Sequence, residues 1–186
     1  MEVLQTEIEG LLIIEPKAFA DDRGFFMETY NRDRYMQAGI VDVFLQDNVS
    51  VSKKGTLRGL HYQAPPFSQG KLVQVLRGAV LDVAVDIRFG SPTFGKYVSV
   101  ELSAENKKQF WIPVGFAHGF VALEDDTLFS YKCTNVYSPE CDRGVRWNDE
   151  QIGIAWPFPE SELLISEKDK VQPLLKDIAQ EFVWKV

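Results

Sequence analysis

Short segments in which every second residue is apolar are the sequence feature that most constrains the fold of this chain. In LDVAVDIR, at 81–88, the period of two predicts a strand that buries one face. The face expected to be buried carries Leu81, Val83, Val85 and Ile87. The face expected to be exposed carries Asp82, Ala84, Asp86 and Arg88. Further strands are predicted at 97–102, 109–115, 118–124 and 127–137. Such strands, with little helix between them, predict an all-β sandwich or barrel of jelly-roll type and leave no room for parallel α/β crossovers.

The segments outside these strands also contain patterns that predict secondary structure. One or two strands are predicted at 6–20, and 25–30 reads as extended. Asn31 is a candidate cap for a short helix, RDRYMQAG, that Gly39 closes. The segment 71–88 is predicted to form a hairpin about Arg77 and Gly78. A surface helix beginning at Pro173 is expected for PLLKDIAQEFV.

Two extended segments place polar and aromatic side chains on a shared face. Phe26, Glu28 and Tyr30 share one face of 25–30, and Phe44, Gln46 and Asn48 share one face of the strand predicted at 41–52. Polar residues on one side of an apolar strand fit either a wet cavity or a solvent-exposed face. The sequence leaves both possibilities open.

Composition and charge exclude several classes of protein. The chain has 186 residues and no Pro-, Gly- or Ser-rich divider, so a single domain at 1–186 is expected. Its net charge of −7 opposes the phosphates of nucleic acid. No apolar run approaches the roughly 20 residues that span a bilayer, and the first residues do not resemble a signal peptide, so a cytoplasmic protein without a membrane partner is expected. Cys133 and Cys141 are expected to be free thiols without an assigned role.

The two histidines of the chain lie in motifs that resemble the signature motifs of the cupin fold. Gly55 precedes His61 by six positions, and PVGFAH ends at His118. Metal-binding cupins supply three histidines and a carboxylate, because a divalent cation needs several imidazoles and an anion. Here Gln63 stands at the second histidine position and Lys71 at the carboxylate position. The sequence therefore predicts a cupin-type jelly-roll barrel without a metal ion, whose chemistry comes from side chains.

Many independent blocks of the chain resemble one family within this fold. The blocks include DDRGFFMETY, LRGLHYQ, IPVGFAHGF, YKCTNVYSPECDRGVRWNDE and SEKDK, and together they cover about residues 5–170. They are similar to the dTDP-4-dehydrorhamnose 3,5-epimerase family. The resemblance implies inversion of C3 and C5 of dTDP-4-keto-6-deoxyglucose through an enolate, on the route to dTDP-rhamnose, by a homodimer that uses no cofactor.

Four residues match the catalytic positions of that family. His61 matches the base, and Asp169 matches the carboxylate that orients it. Lys71 matches the cation that stabilises the enolate, and Tyr131 matches the acid on the opposite face of the sugar. Taken alone, a strand histidine would more often be structural, and a lone tyrosine would more often belong to the core. The motifs around these two residues favour a catalytic role for each of them instead.

The same resemblance implies a set of substrate-binding residues. Three cationic residues match positions that meet the diphosphate, and Tyr137 matches the one that stacks on thymine. The complete set is Arg23, Phe26, Glu28, Gln46, Asn48, Arg58, Gln63, His118, Tyr137, Asp142 and Lys168. The family often has glutamate where Asp142 stands. Arg58 and His61 differ in strand parity, so both reach one cavity only if a bulge lies near Gly59 or the strand begins after it.

Three alternative functions compete with the 3,5-epimerase. Relatives that invert a single centre share nearly every residue named above. A metal-dependent oxygenase is disfavoured by Gln63 and Lys71, and a non-catalytic nucleotide-sugar module is disfavoured by the presence of His61, Tyr131 and Asp169. The segment GLLII, at 10–14, is expected to add to the sheet edge of a second subunit.

Overall fold

The computed structural model describes residues 1–184, so the last two residues of the predicted single domain lie outside the described residues. The regular structure of the chain is mostly short strands joined by turns and loops. In chain order they are β1 (Glu2–Gln5), β2 (Leu12–Glu15), β3 (Ala18–Asp21), β4 (Gly24–Met27), β5 (Gln46–Ser52), β6 (Thr56–Gln63), β7 (Lys71–Arg77), β8 (Ala79–Asp86), β9 (Tyr97–Ser103), β10 (Gln109–Ile112), β11 (Phe116–Ala122), β12 (Thr127–Cys133), β13 (Asp142–Gly144) and β14 (Leu164–Ile165). The all-β prediction is confirmed.

Two sheets face each other and form the jelly-roll barrel. One sheet has the strand order β1-β2-β10-β7-β12-β5, and the other has β13-β6-β11-β8-β9, with β14 added in parallel to β6. Strands β3 and β4 form a separate two-stranded hairpin. A core of apolar side chains, including Val73, Val80, Phe110 and Phe129, fills the space between the two sheets.

The predicted hairpin about Arg77 and Gly78 is wrong. Strands β7 and β8 flank this turn but belong to opposite sheets, so the chain crosses the barrel at Gly78 instead of folding back on itself. Gly78 has φ +78°, and a Cβ there would lie 2.4 Å from Thr127 Oγ1, so only glycine fits. Alternating residues describe a half-buried strand equally well in a hairpin and in such an arch.

Both faces of β8 are buried, contrary to the prediction for this strand. Val83 and Val85 point away from the barrel interior and are covered by the carboxyl-terminal part of the chain. Asp82 and Asp86, expected on an outer face, have no exposed surface. Asp86 is satisfied by Arg88, Ser91 and Thr93, whereas Asp82 lies inside the barrel.

The helix predicted from Pro173 is also wrong. Only Leu175–Asp177 forms a single 3-10 turn, and the following residues run extended along the second sheet. Leu175, Ile178 and Phe182 pack on the outer side of β8, and the Leu175 amide donates to Asp149 at 2.6 Å. Burial of these side chains against a sheet outweighs the local helical spacing.

The short helix in the amino-terminal half is confirmed. Helix α1 (Arg32–Gln37) is capped by Asn31, whose side chain accepts from the Arg34 amide, and Gly39 follows with φ +91°. Helix α2 (Glu167–Lys170) is one turn long and carries Asp169. Neither helix has the length or apolar character to cross a membrane, and the same is true throughout residues 1–184.

The segment GLLII is an inner part of its own sheet, not an exposed edge. Strand β2 pairs with β1 on one side and β10 on the other, and Leu11 and Ile14 are fully buried. It therefore has no free edge to offer a second subunit. Exposed apolar residues lie instead on and before β5, at the opposite edge of the same sheet: Val41, Val43, Leu45, Val49 and Val51.

Candidate active site

His61 and Asp169 form a hydrogen-bonded pair at the wall of the barrel. His61 lies on β6, and its Nε2 is 2.6 Å from Asp169 Oδ1. Asp169 is buried on α2, where its own amide is held by the Ser166 cap. Burial raises the pKa of Asp169, but the hydrogen bond and charge of His61, together with hydrogen bonds from Gly59 and Ser166, outweigh burial, and the pKa lies below its ordinary value. Because an ionised carboxylate only accepts, Nε2 carries a proton and Nδ1 is the nitrogen that can take one up.

A bulge at Gly59 brings Arg58 and His61 to the same cavity. The register of β6 against β11 shifts between the pairs His118↔His61 and Phe120↔Arg58. Gly59 has φ +139°, and a Cβ there would lie 2.5 Å from Gly119 Cα. A side chain at 59 would separate the two strands. The parity problem posed by the sequence is thus resolved by a bulge that needs glycine.

Lys71 and Tyr131 face His61 from the other sheet. Lys71 begins β7, and its Nζ donates to the His61 carbonyl at 3.4 Å. Burial lowers the pKa of Lys71, while the nearby carboxylates of Asp82 and Asp142 offset part of that shift. Burial raises the pKa of the Tyr131 phenol, so this group is protonated at neutral pH. A base, a cation and a proton donor therefore surround one space.

Asp82 is a site residue that sequence reasoning missed. The Nε2 atom of His118, on β11, lies within hydrogen-bonding distance of both carboxylate oxygens of Asp82, at 2.9 and 3.0 Å. Burial raises the pKa of Asp82 and lowers that of His118, which favours neutral imidazole. The available signal was an aspartate in AVLDVAVDI, where the residues of both parities are mostly apolar.

Two adjoining cavities meet at these residues. The first has a volume of about 320 Å³, and the second has about 280 Å³. His61, Lys71, Tyr131 and Lys168 line both of them. Of the remaining predicted residues, those that line the first cavity are Arg58, His118 and Asp169. Those that line the second cavity are Gln46, Asn48, Gln63, Tyr137 and Asp142.

A charged network closes the outer side of the second cavity. Lys168 Nζ makes a short contact with Asp142 Oδ2, and the Tyr137 hydroxyl donates to the same oxygen at 3.1 Å. The Tyr137 ring is half exposed, so its faces are accessible to a planar ligand. Burial lowers the pKa of Lys168, but the hydrogen bond and charge of Asp142, together with the nearby Tyr137 and Asp169, outweigh burial, and the pKa is raised.

Three amide side chains of the second cavity are partly engaged with protein groups. Gln46 donates to Asn48 at 3.0 Å and accepts from the Tyr137 amide at 2.8 Å. Gln63 donates to two backbone carbonyls and accepts from the Ser138 amide at 2.7 Å. Gln63 thus holds two loops together at the position where metal-binding cupins have a histidine.

Three predicted substrate residues do not reach these cavities within one chain. Arg23 and Phe26 line a separate cavity on the β3–β4 hairpin, where Phe26 is 69% exposed. Arg23 pairs with Asp21 at 2.6 Å, and Glu28 pairs with Arg34 on α1 at 2.9 Å. Their role in substrate binding stays a prediction.

The donor set gives no support for a metal centre. Gln63 and Lys71 occupy the two cupin ligand positions identified above, and neither an amide engaged with backbone groups nor a lysine side chain suits a divalent cation. Across residues 1–184, no group of three or more His, Cys, Asp and Glu side chains has an arrangement that could hold a metal ion.

A jelly-roll barrel whose cavity combines a histidine–carboxylate pair, a half-buried lysine and a phenol defines a cupin-type protein equipped for acid–base chemistry. The model of the dTDP-4-dehydrorhamnose 3,5-epimerase family matches residues 5–177. The chain belongs to that family.

Individual relatives agree with this assignment. A dTDP-4-dehydrorhamnose 3,5-epimerase from Shigella flexneri is 56% identical over 91% of this chain and 93% of its own length. The crystal structure of an RmlC epimerase from Legionella pneumophila, in complex with dTDP-4-keto-L-rhamnose, matches with a TM-score of 0.95 and 50% identity, covering 100% of this chain and 99% of that one. A 3′-monoepimerase from Streptomyces bikiniensis, in complex with dTDP-quinovose, has a TM-score of 0.86 and 38% identity, covering 92% and 86%.

Proposed function

We propose that this chain converts dTDP-4-dehydro-6-deoxy-D-glucose to dTDP-4-dehydro-L-rhamnose by inverting C3 and C5, as a step in dTDP-L-rhamnose biosynthesis. The observation that carries the proposal is the convergence of His61, Asp169, Lys71 and Tyr131 on one cavity. The names and bound ligands of the relatives support the same substrate.

His61 is the base of the proposed reaction. Both C3 and C5 adjoin the C4 ketone, so removal of either hydrogen as a proton leaves its electron pair in an enolate. The proton goes to His61 Nδ1, while Nε2 keeps its bond to Asp169. The buried carboxylate stabilises the imidazolium as it forms, which is a contribution made in the transition state.

Lys71 stabilises the enolate oxygen. Its amino group is fixed on the first residue of β7 beside His61, in surroundings with little solvent. A positive charge placed before the reaction acts more strongly on the developing oxyanion than on the neutral ketone. No electron leaves the substrate in either step, so the reaction requires no redox cofactor.

Tyr131 returns a proton to the face opposite His61. It projects from β12 in one sheet, whereas His61 projects from β6 in the other, so the two groups approach the cavity from different sides. The raised pKa keeps the phenol protonated until the carbanion forms. Proton removal on one face and delivery on the other inverts the centre.

The nucleotide end of the substrate occupies the second cavity. Tyr137 presents an accessible aromatic face to thymine. The diphosphate lies where the two cavities join, with charge-assisted bonds from Lys168, which lines both cavities, and from Arg58, which lines the first. The Lys168–Asp142 contact is then exchanged for a contact with phosphate. We expect free dTDP to compete with the substrate at this site.

Solvent deuterium tests the division of labour between His61 and Tyr131. The wild-type protein is incubated with dTDP-4-dehydro-6-deoxy-D-glucose in D2O, and deuterium is located at C3 and C5 by NMR. His61→Asn should abolish incorporation at both carbons, because no enolate forms. Tyr131→Phe should still incorporate deuterium but with little inversion, especially at C5, because His61 returns it to the original face.

Equal and complete loss of exchange in both variants would contradict the two-face assignment. It would show that Tyr131 is required before or during deprotonation. Absence of any deuterium in product formed by the wild type would overturn the enolate mechanism itself.

A second candidate is the inversion of only one centre in a related dTDP-4-keto-6-deoxysugar. The similarity to the Streptomyces bikiniensis monoepimerase motivates it, since one ketone and one acid–base pair serve either reaction. Wild-type deuterium at C3 alone, with unchanged C5, would favour this candidate. Deuterium and inversion at both carbons support the 3,5-epimerase.

We further propose that a single domain assembles as a cytoplasmic homodimer. Support comes from the exposed apolar residues on the outer face and edge of β5, together with Leu76 on β7. Such a patch on a monomer commonly marks an interface. Dimerisation would also allow Arg23, Phe26 and Glu28 to contact the substrate bound by the second subunit. The β3–β4 hairpin does not line the two active-site cavities of its own chain.

A further inference from the structure

Ser50 is a polar residue of the first cavity that neither the chemistry nor the nucleotide contacts described above use. It lies on β5 with its side chain directed into the barrel, opposite Phe129 on β12. Its hydroxyl oxygen is buried and has no hydrogen-bond partner in the part of the chain that the structure describes. Ser50 nevertheless lines the first cavity, so a ligand bound there lies beside this side chain and can supply the missing hydrogen-bond partner.

The inner-facing residues on either side of Ser50 are already engaged. Asn48 accepts from Gln46 at 3.0 Å, and Ser52 Oγ accepts from Arg58 Nε at 3.2 Å. The three residues Asn48, Ser50 and Ser52 form one polar row, spaced two residues apart along β5. Ser50 is the member of this row whose side chain has no hydrogen-bond partner among residues 1–184.

The register places Ser50 beside the reacting part of the substrate. Asn48 pairs with Tyr131, so Ser50 lies about 7 Å further along the same face. The wall next to it is formed by Phe120 and Phe129, whose rings stack with centroids 4.2 Å apart. A flat apolar wall with one hydroxyl at its edge suits the C–H face and a hydroxyl of a hexose ring.

We propose that Ser50 binds a ring hydroxyl of the hexose and thereby positions the ring between His61 and Tyr131. The proposal rests on the proposed epimerase function. A neutral hydroxyl can donate and accept, as a sugar hydroxyl requires. The charged diphosphate binds Arg58 and Lys168. The neutral hydroxyls of the sugar are therefore better partners for the Ser50 hydroxyl.

Ser50→Ala tests this assignment, with Ser130→Ala as its matched control. Ser130 is on β12 next to Tyr131, but it pairs with the exposed Val49 and faces the outside of the same sheet. Wild-type turnover of dTDP-4-dehydro-6-deoxy-D-glucose is confirmed first, and its failure would count against the proposed function alone. Ser50→Ala should lower kcat/KM about 2- to 12-fold, the range for one neutral hydrogen bond, and Ser130→Ala should not.

Two further measurements separate a contact with the sugar from other roles. The affinity for dTDP alone should be unchanged in Ser50→Ala, and an equal loss for dTDP would overturn the sugar assignment. The melting temperature of the free protein should be unchanged or higher, because the variant loses a hydroxyl without a protein partner. A variant that fails to fold or melts several degrees lower would show a structural role and overturn the proposal.

Deoxy analogues of the substrate identify the hydroxyl. The hexose carries hydroxyls on C2 and C3, and deuterium incorporation at C5 can be followed for both the 2-deoxy and 3-deoxy analogues. With the analogue that lacks the bound hydroxyl, wild type and Ser50→Ala should exchange at the same rate. If the Ser50→Ala deficit persists with both analogues, or if no deficit exists with the parent substrate, the inference is wrong.

Discussion

Replacement of Asp169 by asparagine should separate the orienting role of this carboxylate from its role as a charge. The Asp169 side chain is 5% exposed, and its Oδ1 lies 2.6 Å from His61 Nε2. Asparagine has the same shape, so it can still accept a hydrogen bond from Nε2 through its oxygen. It has no negative charge to stabilise the imidazolium that forms during deprotonation.

The expected loss follows from the strength of such a bond. A hydrogen bond to a charged group contributes about 1.5–3 kcal/mol, so Asp169→Asn should lower kcat about 10- to 150-fold. The affinity for dTDP should change little, because Asp169 faces His61 and not the second cavity. The assay is initial-rate deuterium exchange at C5, with dTDP binding measured separately by calorimetry.

Glu167→Gln provides a matched control for this variant. Glu167 is also on α2, but its side chain is 89% exposed and pairs only with Lys170. It should behave as wild type. If Asp169→Asn kept kcat within twofold of wild type, the claim that the carboxylate stabilises imidazolium would have to be withdrawn. A loss of dTDP affinity equal to the loss in rate would instead assign Asp169 to binding.

The same variant has a defined effect on stability against pH. The pKa of Asp169 is lower in the folded protein than its ordinary value of 3.8. The carboxylate therefore contributes stability that is fully present above pH 3.8 and is lost as the pH falls through the folded pKa. Acid unfolding curves should show this loss below about pH 4 in wild type and a weaker pH dependence in Asp169→Asn. Identical curves would contradict the lowered pKa.

Three other outcomes are expected. Gln63→Ala should lower the free energy of unfolding by about 1–3 kcal/mol, because a partly buried backbone amide and two carbonyls lose a partner; denaturant melts measure this, and an unchanged midpoint would refute it. Exhaustive chelation should leave turnover unaffected, because Gln63 and Lys71 cannot complete a cupin metal site; loss with EDTA that a divalent ion restores would contradict this. Light scattering should show a dimer at micromolar concentration and a monomer for Val51→Glu, whereas a wild-type monomer would disprove the proposed assembly.

The sequence predicted those parts of the fold that depend on local pattern. The strands of the barrel alternate in polarity, and Asn31 and Gly39 mark both ends of α1 by their capping chemistry. The same local patterns did not predict which strands pair with each other. The residues around Gly78 look the same whether the chain turns within one sheet or crosses to the other, because alternation reports only that one face is buried.

The candidate site was predictable where a motif carried it. His61, Lys71, His118 and Tyr131 meet in one cavity as their motifs implied. Asp82 was missed because alternation assigned it to a solvent face, while the carboxyl-terminal segment covers the other face of its strand. Ser50 has no motif of its own, and only the buried, unpaired state of its hydroxyl distinguishes it from Ser52, the other serine of β5.

The arch at Gly78 bears on how the protein folds. Since strands β5 to β8 alternate between the two sheets, β7 pairs with β10 and β12, and β5 pairs with β12. Asn48 therefore pairs with Tyr131, 83 residues further along the chain. Pairings of such long sequence separation slow folding, because the intervening loop must close before any contact is gained. His61 and Tyr131 come together only when the barrel closes. In refolding experiments, enzymatic activity should therefore return with the last structural phase.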